Sequence, residues 1–531
     1  MVVMKEKPRR SIWMFGLQSE EPTDAQRREH AKELSERYGM TIELPPIPKA
    51  EELRLRPPRI RPPDSIAEFC YQDNYERALH AGYRTGLAVR GEALNPPDVV
   101  AHPRTEEELE RVLEWCSKNG YATIPYGGGS SSVNGVTPPE GWDGIVTIDM
   151  DQFDQVLEID ATSRAARIQA GVFGPELEDQ LRPHGYTLRH FPQSFAGSTL
   201  GGWIATRSGG HYATKDTHID DFVESVRMLT PVGWWESRRV PASGAGPDPN
   251  RLALGSEGIL GIITEAWMRI QVRPRYRATA GVTFPSWESG YEAVRQIVQS
   301  KLWPANLRLL DPELARGSAG LDGTQSLLAL GFESAEMPQE WPMRQAIRIA
   351  REHGGQINDD EILFADSGQY TGRGGAVGAW RDAFIPSGGG LSTGLGTVGG
   401  TVETAITWER WPEFDRQIRE AFARVLKEVC GGGTLNCRFT HVYVDGPAPY
   451  YTFAGFYRPG LGPQDQAAVK KAASDAIMKA GGTITHHHAV GRQHRPWYDQ
   501  ERPEPFAIAL RAAKRALDPN WVMNPGVLVD P

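Results

Sequence analysis

The sequence predicts an α+β protein built as successive domains, and three observations carry that prediction. A glycine- and serine-rich loop, PYGGGSSSVNGV at 125–136, sits between two strand-like runs, YATIPY and GIVTIDM. Two further small-residue stretches follow, HFPQSFAGSTLGGWIATRSGG at 190–210 and LGSEGILGIITEAWMRI at 254–270. Near residue 275 the pattern changes to strand, helix, strand, strand, helix, which suits an open α+β sheet.

Composition narrows the function classes. A chain of 531 residues can bury a large core and divide into domains. Its formal net charge of −9 gives no global attraction to nucleic acid or anionic lipid. Cys70, Cys116, Cys430 and Cys437 lack paired CxxC spacing, so a disulfide framework or zinc ribbon is not expected and a reducing compartment is. No apolar run is long enough to span a bilayer.

The elements read in order. Residues 1–94 form a helical and proline-rich wrapping segment. Thr23 opens a helix that Gly39 stops, 44–63 is too proline-rich for a regular element, and 64–81 reads as helical. The first domain, 95–275, begins with a short strand at 98–103. A helix follows, with Thr105 as N-cap, acids in its first turn and Gly120 as its stop. After the glycine loop come a strand at 164–170 and a helix opened by Pro175. Gly255 and Gly258 frame a turn that leads into a core strand. A second domain, 276–485, holds strands at 305–311 and 326–334. It also has long helices ending near Gly354 and Gly431, and paired strands at 437–460. Its segment 387–401 is glycine-rich enough to read as a mobile loop or lid. Residues 486–531 form a returning tail.

Some residues have chemistry of their own. Gly127, Gly128 and Gly129 let the backbone approach an anion closely, and Ser130 and Ser131 add donors. The alternative is a flexible turn. His486, His487 and His488 stand at what reads as a strand end, where at most two of three neighbours share a face. The alternative is an exposed polar run, and no metal-ligand spacing is evident. On its own Tyr450, beside Tyr451 on a strand, reads as core or cross-strand packing, and Arg308 as a surface salt bridge or, if its face opens to a cleft, a phosphate fork.

The glycine loop, STLGGW and GSEGILGIITEA stand in the order seen in vanillyl-alcohol-oxidase (PCMH-type) FAD-binding domains. The later stretches RLLD, WRD, CRFTHVY, YYTFAGFYR and THHHAVGRQHRPWYDQE resemble the alkylglycerone-phosphate synthase family. The resemblance runs from about residue 65 to the end. It implies a cap domain over a dissociable, non-covalent FAD. It implies cofactor contacts from Pro125, Gly127, Gly128, Gly129, Ser130, Ser131, His190, Ser198, Thr199, Gly202, Trp203, Thr206, Glu257, Gly258 and Ile263. It further implies Tyr450 as acid–base group, Arg308 on a substrate phosphate, and Arg381 and the three histidines at the flavin.

The implied reaction is redox-neutral. A long-chain alcohol replaces the acyl chain of an acylated dihydroxyacetone phosphate. Expected with it are a lipid substrate, no metal, no nucleic acid, a homodimer, and a cytoplasmic location with contact at the inner membrane surface. An FAD-linked oxidase or dehydrogenase of a hydroxy acid or phenolic alcohol is the alternative, because one fold hosts both. Gln193, His211 and the 388–400 stretch depart from the family pattern and bear on the substrate.

Overall fold

A computed structural model describes residues 7–82, 89, 94–366 and 390–531. The first small sheet has the order β1 (Cys70–Tyr71), β2 (Val99–Ala101), β4 (Ile145–Asp149), β3 (Ala122–Tyr126). β2, β4 and β3 run parallel, and β1 pairs antiparallel with β2. The helix Glu106–Asn119 makes the crossover from β2 to β3, as parallel pairing demands. It buries Leu109, Val112, Leu113 and Cys116 against Val99, Val146 and Ile148. Thr105 caps its first turn through Glu108 N–H, and Gly120 ends it at φ 68°.

A second sheet, wholly antiparallel, has the order β5 (Val156–Asp160), β6 (Ala165–Gln169), β10 (Ile262–Arg269), β8 (Val223–Thr230), β9 (Gly233–Glu236). Its core side packs on Leu177, Leu181, Leu200, Trp203 and Ile204 of the helices Gly174–Leu181 and Leu200–Thr206. The pair β7 (Tyr186–Thr187) and β11 (Gln271–Val272) closes its margin.

Seven antiparallel strands form the third sheet, ordered β15 (Leu363–Ala365), β12 (Tyr276–Phe284), β14 (Ser326–Ser334), β13 (Asn306–Leu310), β17 (Gly433–Val442), β18 (Pro447–Gly455), β16 (Gly399–Glu403). One face is apolar and lies under the amphipathic helices Trp287–Gln299, Glu340–Glu352, Trp411–Cys430 and Pro463–Ala480. Phe284, Leu309, Phe439, Tyr451 and Phe453 meet them there. The other face carries the polar groups described below.

Four readings of the sequence need correction. Residues 64–81 are helical only over Asn74–Leu79, because Cys70 and Tyr71 pair with β2 and Asp73 caps a fresh start. A helix, Pro312–Ala319, stands between β13 and β14 where none was expected. Asp311 caps it and Pro312 starts it. The start of the glycine-rich stretch 387–401 lies outside the described residues, and its described end is packed. Leu395 is buried with Ala31 and Ile42, and Gly399–Glu403 is the strand β16. Finally, 483–488 is no strand. It is a turn wound around a carboxylate.

Candidate active site

The glycine loop leaves β3 and runs directly against the 197–199 backbone. A Cβ on Gly128 would lie 1.9 Å from the carbonyl oxygen of Gly197, and one on Gly127 would lie 2.2 Å from Thr199 Oγ1. Only a backbone without side chains fits that approach. The turn at Gly258 (φ 76°) meets Pro125, with a Cβ there 3.0 Å from the proline ring. Three stretches far apart in sequence thus close one concave cradle. Arg10, from the N-terminal strap, braces its underside by donating to the Gly127 carbonyl at 3.0 Å and pairing with buried Asp149.

Several expected cradle residues act from behind its surface. Trp203 is buried and donates through Nε1 to Ser198 Oγ at 2.7 Å, and Ser198 donates on to the Ser194 carbonyl at 2.8 Å. Ser131 Oγ accepts from Gly135 N–H at 2.8 Å and so folds the loop back on itself. Thr206 donates to the Gly202 carbonyl one turn earlier, and Ile263 is core in β10. His190 packs between Trp203 and Phe222, and burial brings its pKa down to about 3, so it is neutral. Glu257 accepts Val490 N–H at 2.9 Å and Gly491 N–H at 2.7 Å, although burial raises its carboxyl to about 7. It ties the tail to the cradle. Arg381 lies outside the described residues.

The second half of the site is organised by Glu403, which the sequence reading missed. Its buried carboxylate accepts the backbone N–H groups of His486 (2.7 Å), His487 (3.2 Å) and His488 (3.0 Å), and the Thr485 hydroxyl. His487 Nδ1 and His488 Nδ1 stand 3.3 and 3.7 Å from it. Burial pushes the Glu403 carboxyl up, but His487 and His488 outweigh that and hold it well below the usual carboxylate range. The turn brings all three histidines to one site, against the strand-based expectation of at most two. His487 stacks on Tyr450 (centroids 6.0 Å, 22°) and His488 meets the same ring edge-on at 5.5 Å. Burial holds His486 well below its ordinary value, and His488 at about 3, so both rings are neutral.

Cross-strand register explains the rest. Glu403 pairs with Tyr450 across β16 and β18, and Tyr450 with Arg438 across β18 and β17. The three therefore form one row on the face away from the helices. The Arg438 guanidinium lies 4.1 Å from the Tyr450 ring centroid. Burial raises the Tyr450 hydroxyl, and Arg438 opposes that rise. Arg308, on β13, is buried beside Arg438 and donates to the His211 carbonyl at 3.0 Å. Burial and the like charge of Arg438 bring Arg308 down to about 9. Two arginines held together out of water form a place that an oxyanion stabilises. His441 reaches the same face as Arg438 because the register shifts between Phe439 and His441. A bulge there resets the alternation. Arg438, His441, Tyr443 and His218 were all missed by sequence reading. The available signal was the bulged alternation in CRFTHVY.

Comparison with known proteins defines first a class and then a family. Residues 97–236 match the model of an FAD binding domain, and 273–528 that of the C-terminal domain of FAD linked oxidases. The fold and cradle are those of an FAD-linked flavoenzyme. The chain is 31% identical to alkyldihydroxyacetonephosphate synthase of Caenorhabditis elegans over 82% of its own length and 76% of that protein. It is 29% identical to the enzyme of that name from Dictyostelium discoideum, over 91% and 83%. A solved alkyldihydroxyacetonephosphate synthase structure superimposes with a TM-score of 0.74 at 26% identity, covering 91% of this chain and 88% of that one. The chain belongs to the alkyldihydroxyacetonephosphate synthase family.

FAD fits the cradle, because the loop at Gly127 and Gly128 closes directly against Gly197 and Thr199 with no side chain between, the glycine-built turn that a pyrophosphate nest requires. Gly128→Val forces the loop off the Gly197 carbonyl, and the purified variant is expected to be colourless. An absorbance ratio at 280 and 450 nm checks this, and full flavin occupancy would refute the assignment.

Proposed function

We propose that the protein exchanges the acyl chain of an acylated dihydroxyacetone phosphate for a long-chain alcohol, forming an ether and releasing a fatty acid, with FAD held without a covalent bond. The observation that carries this reading is the buried Arg308–Arg438 pair beside Tyr450 and the histidine turn. Flavin, when bound, supplies the electron-rich and electron-poor centre at which one oxygen substituent replaces another.

The chain's own residues do the rest. Arg308 grips the phosphate and so fixes the reacting carbons over the cofactor domain. Tyr450 holds a proton at its hydroxyl for the departing carboxylate, and Arg438 tunes how readily it is given up. His486, His487 and His488 accept or donate hydrogen bonds as charge moves, and Glu403 fixes their positions from below.

Long-chain substrates support a peripheral contact with the inner membrane surface from the cytoplasm, and we extend the reading to a homodimer. Among the described residues, no helix is long and apolar enough to cross a membrane. Vesicle flotation and light scattering test these two points.

The reaction itself is tested by mixing the yellow protein anaerobically with palmitoyl-dihydroxyacetone phosphate and hexadecanol. An ether product with the flavin oxidised at the end is expected. Flavin bleaching by a hydroxy acid or phenolic alcohol, with no ether formed, would overturn the reading in favour of an oxidase.

A further inference from the structure

The histidines around the turn face one another. One ring nitrogen each from His441, His486 and His487 lies within 4.8 Å of the other two. His218 stands behind His486, its Nε2 3.1 Å from His486 Nε2, the nitrogen that also lies 2.8 Å from the Tyr443 hydroxyl. The opposite nitrogen, His486 Nδ1, is 3.0 Å from His487 Nδ1. Ligands on a tetrahedral ion with metal–nitrogen bonds of about 2.0–2.1 Å stand roughly 3.3 Å apart, and the His486–His487 approach is close to that.

His441 adds an independent observation. Its Nε2 donates to the Gly210 carbonyl at 2.6 Å, which leaves the lone pair on Nδ1. That nitrogen is buried and has no hydrogen-bond partner among the described residues, while the ring is only 2% exposed. A buried acceptor without a donor is costly and calls for a guest. Glu403 contributes as well. Its oxygen stands 3.3 Å from His487 Nδ1, so a carboxylate charge lies beside the cluster.

We propose that this cluster binds one divalent transition-metal ion of the Zn2+ type, with His441, His486 and His487 as ligands and a solvent molecule completing the coordination. Imidazole donors favour Zn2+, Co2+ or Ni2+ over Mg2+ and Ca2+. The ion and the ether-forming reaction then compete for the same imidazoles, so metal occupancy switches the enzyme off. That consequence rests on the proposed function, but binding itself does not. Sequence spacing argued against a metal because the ligands come from turns and strands far apart in the chain.

The test uses FAD-loaded protein stripped with EDTA and titrated with Zn2+ alone by calorimetry, then with Co2+ as a spectroscopic probe. One ion per chain is expected, with visible d–d bands of tetrahedral Co2+ at wavelengths beyond the flavin bands. His441→Gln should weaken binding at least tenfold with the flavin spectrum retained. If that variant loses its flavin, His486→Gln, at a more exposed ring, serves in its place. Zn2+ should also stop turnover and EDTA restore it. Absence of saturable one-to-one binding would overturn the proposal, as would binding indifferent to both substitutions. Tight binding without loss of turnover would overturn the competition and leave the site.

Discussion

Glu403→Gln is expected to lower turnover by about two orders of magnitude while FAD stays bound, since misplacing catalytic groups by about 1 Å costs on that order. The carboxylate satisfies three backbone N–H groups and one hydroxyl with two oxygens. Glutamine offers one oxygen and turns an NH2 group toward donors. Each buried donor left unsatisfied costs about 1–3 kcal/mol, so the turn opens and the three rings scatter. The protein is also expected to melt a few degrees lower. Because the Glu403 pKa is depressed, its contribution is fully present above the ordinary glutamate range and is lost as pH falls through the depressed value. The variant and the parent should therefore differ most near neutrality and converge in strong acid. Turnover, flavin absorbance and thermal melts at two pH values check this. A variant with parental turnover would show that the turn does not need its carboxylate.

Arg308→Ala is expected to raise KM for the phosphorylated substrate by roughly ten- to a hundredfold, because a charge-assisted hydrogen bond is worth about 1.5–3 kcal/mol. Removing one of two like charges also relieves the repulsion that, after burial, helps bring Arg308 to about 9, so part of the loss is offset. The pair hypothesis makes a sharper demand. Dihydroxyacetone esters without the phosphate should bind the variant and the parent equally. Steady-state kinetics with both substrate types decide it. An equal loss for the phosphate-free ester would place Arg308 in structural support.

How much of this was legible follows from where each feature's cause lies. The glycine loop could be read because its chemistry is local: three glycines and the strands on either side announce a close approach. Tyr450 and Arg308 could be picked out only by resemblance, since a tyrosine or arginine on a strand looks the same in a core or a cleft. Glu403 could not be read at all. It sits just beyond a glycine-rich stretch that looked mobile, and its role exists only once a turn more than eighty residues later wraps around it. The histidine run misled because Thr-Ile-Thr favours a strand, and that local preference yields to the carboxylate beneath. Arg438 and His441 were hidden by a bulge, which breaks the period-two rule that would have placed them on opposite faces.

The tail has a consequence for how the molecule comes into being. Arg492 and Gln493 donate their backbone N–H groups to the Val133 carbonyl, in the loop that leaves β3. Met523 bridges the open edge of β3 beside Thr123, and Asn524 pins both the Gly135 and Glu257 carbonyls. The nucleotide cradle belongs to the early part of the chain, yet its walls are finished by residues made long after it. A nascent chain that has already emerged through β10 still lacks the pieces that hold its loop in place. The loop takes its full set of braces only once the chain has been made through Asn524.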